Sequence, residues 1–344
     1  MSGDNSGPPA AIVFGCAGES LTDDEAAFFG DIRPAGFILF NYNVSTPDQI
    51  RALVESMRGC VTGYTPMVLI DQEGGKVARL GPPHWTKRPA AKVFADLAVD
   101  NPKAAHEAAR INARLMAHDL TALGIDVDCA PVVDVPVQGA HDIIGDRAHG
   151  DTPELVASLG RAVCEGLMAG GVAPMIKHMP GHGRARSDSH KELPKVETTR
   201  AKLHDTDFQP FTALNDMPCA MTAHVMFTDI DPDKPATTST AMIDDVIRGE
   251  IGFDGLLFSD DLGMEALSGT LPERASAVLA AGCDIALECW GDLEKMRAVA
   301  PGVPPMSDAA MTRYDRMRNA VGAPDDADIP ALEARLAALI GTDF

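Results

Sequence analysis

Residues 255–264 read Gly-Leu-Leu-Phe-Ser-Asp-Asp-Leu-Gly-Met, a short apolar run that ends in two carboxylates. An apolar run this short, opened by a glycine, favours a buried β-strand over a helix. The strand is predicted over 255–258, and Asp260 then stands at its carboxyl end. A chain built from several such units would gather its chemistry at one edge of a sheet.

The same pattern recurs along the chain. Similar apolar runs are separated by amphipathic stretches such as 153–170, and strands alternating with helices are typical of a parallel sheet covered on both faces. With 255–258 they make eight units and predict an α/β fold, a single (β/α)8 barrel domain over residues 1–344 with extra helices from about 301 to 344. The other seven candidate strands are 11–15, 36–40, 67–70, 125–135, 172–176, 219–223 and 283–287.

Polar residues follow almost every one of these strands. Barrel enzymes build their active sites at the carboxyl ends of the strands, and chance polarity would not favour that end. The residues in question are Asn41, Asp71, Asp134, Lys177, His178, His224, Asp260 and Glu288.

Composition limits the partners of the chain. A formal net charge of −21 repels nucleic-acid phosphates and anionic lipid. No apolar run is long enough to cross a membrane, and the first residues carry no basic flank ahead of an apolar segment, so a cytoplasmic protein is expected. The seven cysteines are odd in number and never spaced as CxxC, which favours reduced thiols over disulfides or a zinc site. No metal or organic cofactor is expected.

The segment 177–190 reads Lys-His-Met-Pro-Gly-His-Gly-Arg-Ala-Arg-Ser-Asp-Ser-His and carries three histidines. Its glycines and proline predict a shaped loop after a strand. Asp188 and His190 are two residues apart, close enough for the carboxylate to raise the pKa of the imidazole and make it a competent acid near neutrality. Solvated histidines, a metal site and a phosphate-binding loop are the alternatives for this segment.

Two further stretches carry candidate carboxylates. Asp260 is interpreted as the reacting group and its neighbour Asp261 as a capping or bracing residue, although capping is possible for both. Asp71 and Arg79 lie in Asp-Gln-Glu-Gly-Gly-Lys-Val-Ala-Arg and could clamp sugar hydroxyls together, since one accepts and the other donates hydrogen bonds. A structural ion pair explains Asp71 and Arg79 equally well.

These stretches together resemble the β-N-acetylglucosaminidase branch of glycoside hydrolase family 3, which acts in bacterial cell-wall recycling. The resemblance covers residues 10–300 in the family's order, and the histidine loop followed by SDDL is its most specific element. The matching motifs are LIDQEGGKVARL (69–80), CAPVVDV (129–135), IGDRAHGDTP (144–153), KHMPGHGRARSDSH (177–190), MTAHVMF (221–227) and FSDDLGMEAL (258–267).

The resemblance implies a retaining exo-glycosidase with Asp260 as nucleophile and His190, supported by Asp188, as general acid/base. It also implies a substrate-binding set that holds N-acetylglucosamine (GlcNAc), with His224 nearby. The implied substrate-binding residues are Asp71, Arg79, Arg147, Lys177 and His178.

The implied substrate is a small muropeptide, GlcNAc linked to 1,6-anhydro-N-acetylmuramic acid (anhydroMurNAc), whose acidic groups could meet Arg184 or Arg186. The enzyme is expected to work as a monomer, without nucleic acid or membrane. Several readings stay open: a family 3 β-glucosidase, a phosphorylase, attack by the substrate's own acetamido group, a metal-dependent barrel enzyme, and a non-catalytic muropeptide-binding barrel.

Overall fold

The computed structural model describes residues 7–189 and 191–341. Eight strands close into a barrel in which each pairs in parallel with its two neighbours, and consecutive strands along the chain are adjacent, with the last strand closing on the first. This confirms the predicted α/β barrel. The strands are β1 (Ala10–Phe14), β2 (Pro34–Leu39), β3 (Met67–Ile70), β4 (Val127–Asp128), β5 (Ala173–Met179), β6 (Cys219–Thr222), β7 (Leu256–Asp261) and β8 (Ile285–Glu288).

Helices surround the barrel. Many begin at a Thr, Ser, Asn or Asp whose side chain accepts a backbone N–H of the first turn, as Thr22, Thr152 and Ser307 do. The α-helices are α1 (Asp23–Ile32), α2 (Pro47–Gly59), α3 (Ala91–Asp100), α4 (Pro102–Thr121), α5 (Pro153–Ala169), α6 (Arg200–Asp205), α7 (Gln209–Ala213), α8 (Leu271–Ala281), α9 (Leu293–Val299), α10 (Asp308–Ala320) and α11 (Ile329–Ile340).

Shorter elements decorate this frame. A π-helix spans Met242–Glu250, and two short strands, Gln72–Gly74 and Val77–Ala78, form an antiparallel hairpin directly after β3. A second short pair, Lys195–Val196 with Met226–Phe227, is parallel. None of the helices within 7–189 and 191–341 is long and apolar enough to cross a lipid bilayer.

Strand residues alternate between two apolar layers. Val13, Leu69 and Met175 belong to a cluster inside the barrel, whereas Ile12, Phe14 and Ile70 pack outward against the helices. A strand buried on both faces must be apolar throughout, which explains the short continuous runs in the sequence. The interior of the barrel is therefore packed with apolar side chains.

Helices α10 and α11 follow the last strand–helix unit of the barrel, β8 and α9. Residues of α10 join the interior cluster, and the Tyr314 hydroxyl donates to the carbonyl of Thr65, just before β3 begins. Arg313 pairs with Asp284, just before β8. Helix α10 therefore closes the amino-terminal end of the barrel, opposite the end where the predicted site residues stand.

Candidate active site

A cleft of about 540 Å³ opens at the carboxyl ends of the strands. Small-ligand sites of this size combine apolar walls with a few convergent polar groups. Six residues predicted from the sequence meet in it, although they are scattered over almost 200 positions. They are Asp71, Arg79, Arg147, Lys177, His178 and Asp260.

Asp260 lies near the end of β7 and faces the cleft. One carboxylate oxygen accepts the backbone N–H of Asp261 at 2.8 Å. Burial raises the pKa of Asp260, but the imidazoles of His224 and His178 lead a set of neighbours that hold this pKa below its ordinary value. The group is therefore an ionised carboxylate at neutral pH, aimed at whatever occupies the cleft.

Asp71 is held between two cations. Lys177 Nζ lies 2.7 Å from Asp71 Oδ1, and Arg79 Nη2 lies 2.9 Å from Asp71 Oδ2. Burial raises the pKa of Asp71, and the charges of Lys177 and Arg79 overcome it and set the pKa far below the usual range. The guanidinium of Arg79 also lies 4.9 Å from the centre of the Phe40 ring, which fixes its orientation.

Glu73 is a site residue that sequence reasoning missed. Its carboxylate is 2.8 Å from Lys177 Nζ and receives two N–H bonds from Arg147, each 2.8 Å long. Burial raises the pKa of Glu73, but Lys177 and Arg147 bring it down to about 2. Glu73 therefore links two predicted substrate-binding cations that are 30 residues apart in sequence. Its position two residues after Asp71, just beyond the end of β3, could have marked Glu73 as a site residue.

His178 is oriented by a buried carboxylate. Its Nδ1 lies 2.7 Å from Asp134 Oδ2, and Asp134 also accepts the backbone N–H of His178 at 3.2 Å and of His182 at 2.6 Å. Asp134 is fully buried. Burial raises its pKa, and the two histidines lower the pKa below the ordinary value. Asp134 was recognised as a strand-end residue, but its role as the anchor of the histidine loop was missed.

His182 also lines the cleft. Burial, followed by the neighbouring His178, lowers the pKa of His182 to about 4, so its imidazole is neutral near pH 7. Its Nε2 lies 3.1 Å from the hydroxyl of Ser189, which lines the same cleft. His182 therefore packs in the site as a neutral ring and is a poor proton donor at neutral pH.

The predicted acid/base His190 lies outside the described residues. The carbonyl oxygen of Asp188, its predicted partner, accepts the backbone N–H groups of Lys191 and Glu192, and the Asp188 carboxylate lies 3.9 Å from Lys191 Nζ. Ser189 lines the cleft, so the loop reaches the site at this residue.

His224 lies behind the cleft, close to the position the resemblance implies. Its Nε2 is 2.9 Å from the carbonyl oxygen of Asp261 and its Nδ1 is 2.7 Å from the hydroxyl of Thr237. Burial lowers its pKa below the ordinary value. This buried imidazole supports the end of β7 from behind.

The side chain of Asp261 braces the edge of the cleft, which is one of the two roles, capping or bracing, suggested by the sequence. Its carboxylate accepts the indole N–H of Trp290 at 2.6 Å, and the backbone N–H groups of Gly263 at 3.1 Å and Cys289 at 3.2 Å. Burial raises the pKa of Asp261. Nothing in the sequence indicated that Trp290, 29 positions away, is its partner.

Arg184 and Arg186 lie outside this cleft. They line a separate groove with Lys195, and the Arg184 guanidinium is occupied by Asp207 at 2.7 Å and by Thr206 at 3.0 Å. Arg184 therefore has partners within the protein and is not among the residues that line the cleft with Asp260. Within 7–189 and 191–341, no group of three or more His, Cys, Asp and Glu side chains is arranged to hold a metal ion.

Comparisons with known proteins agree with this geometry. The glycosyl hydrolase family 3 N terminal domain matches residues 18–315. The chain is 39% identical to a beta-hexosaminidase of Alkalilimnicola ehrlichii, over 88% of this chain and 87% of that protein, and 34% identical to one of Bordetella avium, over 92% and 91%.

The fold is also similar to that of NagZ from Neisseria gonorrhoeae in complex with N-trifluoroacetyl-D-glucosamine. The TM-score is 0.87 with 32% identity, and the match covers 97% of this chain and 98% of that one. Relatives at this identity and coverage share the family and its type of chemistry. The chain therefore belongs to glycosyl hydrolase family 3, among its β-N-acetylhexosaminidases.

Proposed function

We propose that this hydrolase is a retaining, exo-acting β-N-acetylglucosaminidase that removes terminal GlcNAc from muropeptides through a covalent intermediate on Asp260. The observation that carries the proposal is the ionised carboxylate of Asp260 at the end of β7, facing a cleft of about 540 Å³. A carboxylate nucleophile must be charged and must face the bound sugar, and the lowered pKa of Asp260 and its position in the cleft support this role.

The cation and carboxylate network beside Asp260 suits the hydroxyl groups of one sugar ring. Asp71 and Glu73 accept hydrogen bonds, whereas Arg79, Arg147 and Lys177 donate them, so vicinal hydroxyls can be both donors and acceptors here. Because each charge is already paired within the protein, the groups are held in place before the sugar arrives. The structure of the NagZ relative with N-trifluoroacetyl-D-glucosamine supports GlcNAc as that sugar.

His190, with Asp188 as its partner, is proposed as the general acid/base. Two other histidines near the cleft are poor candidates at neutral pH, because burial lowers the pKa of both His182 and His224. A histidine beside a carboxylate keeps a higher pKa and can donate a proton near neutrality. The carboxylate of Asp188 would orient the ring and stabilise its charged form.

The reaction then proceeds in two displacements. Protonated His190 donates its proton to the glycosidic oxygen while a carboxylate oxygen of Asp260 bonds to the anomeric carbon and the bond to the leaving sugar breaks. Neutral His190 next takes a proton from water as the water oxygen attacks the anomeric carbon and releases Asp260. Two inversions at one carbon give net retention of the β configuration.

The proposed natural substrate is GlcNAc linked to 1,6-anhydroMurNAc, cleaved during cell-wall recycling by a monomeric enzyme in the cytoplasm. The cleft volume suits a disaccharide better than a polymer, which supports exo action on a small substrate. Free thiols at all seven cysteines are compatible with a reducing compartment.

The test is hydrolysis of 4-nitrophenyl β-GlcNAc beside the matching β-glucoside, with and without phosphate. Asp260→Asn is expected to reduce kcat by on the order of 10³-fold or more, because an amide cannot form the glycosyl ester. His190→Ala should also lose most activity. The matched control is Asp261→Asn, whose carboxylate also borders the cleft but is held by Trp290 and two backbone amides, so this change should cost far less.

Cleavage of the glucoside at an equal rate would point to a β-glucosidase. Release of a sugar phosphate would point to a phosphorylase. Full activity of Asp260→Asn would contradict the proposed role of Asp260.

A further inference from the structure

The rim of the cleft carries an exposed indole. Among the described residues, the large apolar side chains that remain well exposed are Trp290 (54%), Tyr42 (40%) and Val99 (82%). Trp290 lines the cleft, and Tyr42 donates its hydroxyl to the carbonyl oxygen of Cys289 at 3.0 Å, so Tyr42 holds the residue that precedes Trp290. A single exposed apolar residue is ordinary, but aromatic residues gathered at a binding cleft indicate a ligand contact.

The orientation of the Trp290 ring is fixed by one buried partner. Its Nε1 donates to Asp261 Oδ2 at 2.6 Å, and Asp261 is itself 6% exposed and held by two backbone N–H groups. A charge-assisted hydrogen bond of this length restricts rotation about the side-chain bonds. The indole therefore presents a surface to the cleft in one orientation.

The backbone around Trp290 is equally constrained. Gly291 has a φ of 63°, and a Cβ at that position would lie 2.2 Å from the carbonyl oxygen of Cys16. Tyr42, which holds the carbonyl of Cys289, stacks on Phe40 with ring centres 6.0 Å apart and planes 8° apart. Phe40 lines the cleft as well, so the aromatic rim is attached to both β2 and β8.

We infer that Trp290 is the platform on which the leaving-group sugar ring stacks as the glycosidic bond is positioned over Asp260. The charged residues suited to the GlcNAc hydroxyls come from β3, β5 and the loop before α5, whereas Trp290 stands beyond β8 at the exposed edge. The C–H face of a pyranose is apolar and packs well on an indole. This inference rests on the proposed function and adds a subsite that selects a ring-shaped leaving group.

Trp290 could instead matter only because it braces Asp261, the neighbour of Asp260. Two variants separate these roles. Trp290→Phe and Trp290→Ala both remove the indole N–H donor to Asp261, but only Trp290→Phe keeps an aromatic face. A kinetic difference between the two variants therefore measures the effect of the aromatic ring, because the hydrogen bond to Asp261 is lost in both.

The kinetic test compares two substrates, GlcNAc-β-1,4-MurNAc and β-GlcNAc azide, whose leaving group has no ring. For the disaccharide, KM of Trp290→Ala is expected to exceed that of Trp290→Phe about tenfold, the scale of a well-packed aromatic contact. For the azide, the two variants should have the same KM and kcat. If the two variants have equal KM values for the disaccharide, or if the ratio of their KM values is the same for the disaccharide and the azide, the platform role of Trp290 is wrong.

A spectroscopic test uses the fact that the chain has two tryptophans. In the variant Asp260→Asn/Trp85→Phe, Trp290 is the one remaining indole, and substrate binds without turnover. Titration with the disaccharide should shift its emission and protect it from acrylamide quenching, whereas GlcNAc alone should do neither. The same response to both ligands, or no response to a bound disaccharide, would contradict the inference.

The two proposals fail differently. If the wild-type enzyme cleaves neither β-GlcNAc azide nor 4-nitrophenyl β-GlcNAc, the proposed function fails. If it cleaves both but Trp290→Phe and Trp290→Ala do not separate on the disaccharide, only the platform fails.

Discussion

Asp260 and Asp261 are neighbours at the end of β7, yet their surroundings push their pKa values in opposite directions. Burial opposes the charge of both carboxylates, but histidines lower the pKa of Asp260, while burial and the nearby Asp260 charge leave the pKa of Asp261 raised. Divergent pKa values in one site separate chemical roles. Asp260 is the group suited to attack, and Asp261 is the group suited to hold the rim.

Glu288, at the end of β8, gives a pH-dependent prediction. Burial, followed by the charge of Asp261, raises its pKa in the folded protein to about 8. The unfolded chain has an ordinary glutamate, with a pKa of about 4.3. Stability from this group is thus complete below about pH 4.3 and is lost as the pH rises toward 8, because only the unfolded state then releases the proton.

Glu288→Gln cannot ionise, so its melting temperature relative to wild type should improve more at pH 8 than at pH 5. Calorimetry at both pH values measures this difference. The control is Glu265→Gln, an exposed glutamate that should change Tm equally at both. An equal shift at pH 5 and pH 8 for Glu288→Gln would contradict the raised pKa.

Sequence reasoning found the site residues that local patterns mark and missed the partners that only the tertiary structure brings to them. Asp71 and Lys177 follow an apolar run directly and Asp260 follows one after Ser259, so the strand pattern alone places them at one end of the barrel. Their partners depend on closure of the barrel, which brings Glu73 to Arg147 across 74 positions and Asp261 to Trp290 across 29. Pairings of that kind are fixed by tertiary structure and leave no local pattern.

The histidine segment 177–190, which begins in β5, is held to neighbouring parts of the barrel by hydrogen bonds to its backbone. Asp134 accepts the N–H groups of His178 and His182, and the N–H of Val137 donates to the carbonyl of Gly183 at 3.3 Å. Glycine composition predicted a shaped loop, and the structure explains Gly183 in particular, since a Cβ there would lie 1.9 Å from the carbonyl oxygen of Val135.

Gly183→Ala should therefore displace the loop and lower kcat/KM about 100-fold, the cost of misplacing reacting groups by roughly 1 Å. The assay is 4-nitrophenyl β-GlcNAc hydrolysis, with circular dichroism to confirm folding. Gly59→Ala is the matched control, because a Cβ at Gly59 meets nothing within 4 Å. A folded Gly183→Ala enzyme with wild-type kinetics would show that the loop position is unimportant for catalysis.

The helices after the barrel tie the chain into one unit, as a single-domain proposal requires. The side chain of Arg88, 4% exposed, pairs with Glu333 of α11 at 2.8 Å, and Arg114, 6% exposed, pairs with Asp325 at 2.7 Å. Removing the partner of a buried charge is costly because the remaining charge stays desolvated. The sequence predicted helices here but could not assign what they cover.

Deletion of residues 323–344 is accordingly expected to lower Tm by several degrees, since it removes Asp325 from Arg114, leaves Arg88 with Asp119 alone, and removes the apolar face of α11. The full chain should unfold in a single transition. The control is Glu107→Gln, which breaks an exposed ion pair with Arg335 and should cost little. An unchanged Tm after the deletion, or two separate transitions in the full chain, would contradict a single cooperative unit.

The central claim is a covalent bond between GlcNAc and Asp260, and trapping it is the most direct test. The wild-type enzyme is incubated with a 5-fluoro β-GlcNAc fluoride, which slows hydrolysis of the intermediate, and its peptides are analysed by mass spectrometry. We expect one sugar adduct, on the peptide that contains Asp260, and none in Asp260→Asn. Turnover with no adduct, as attack by the acetamido group would give, or an adduct on another residue would contradict the account.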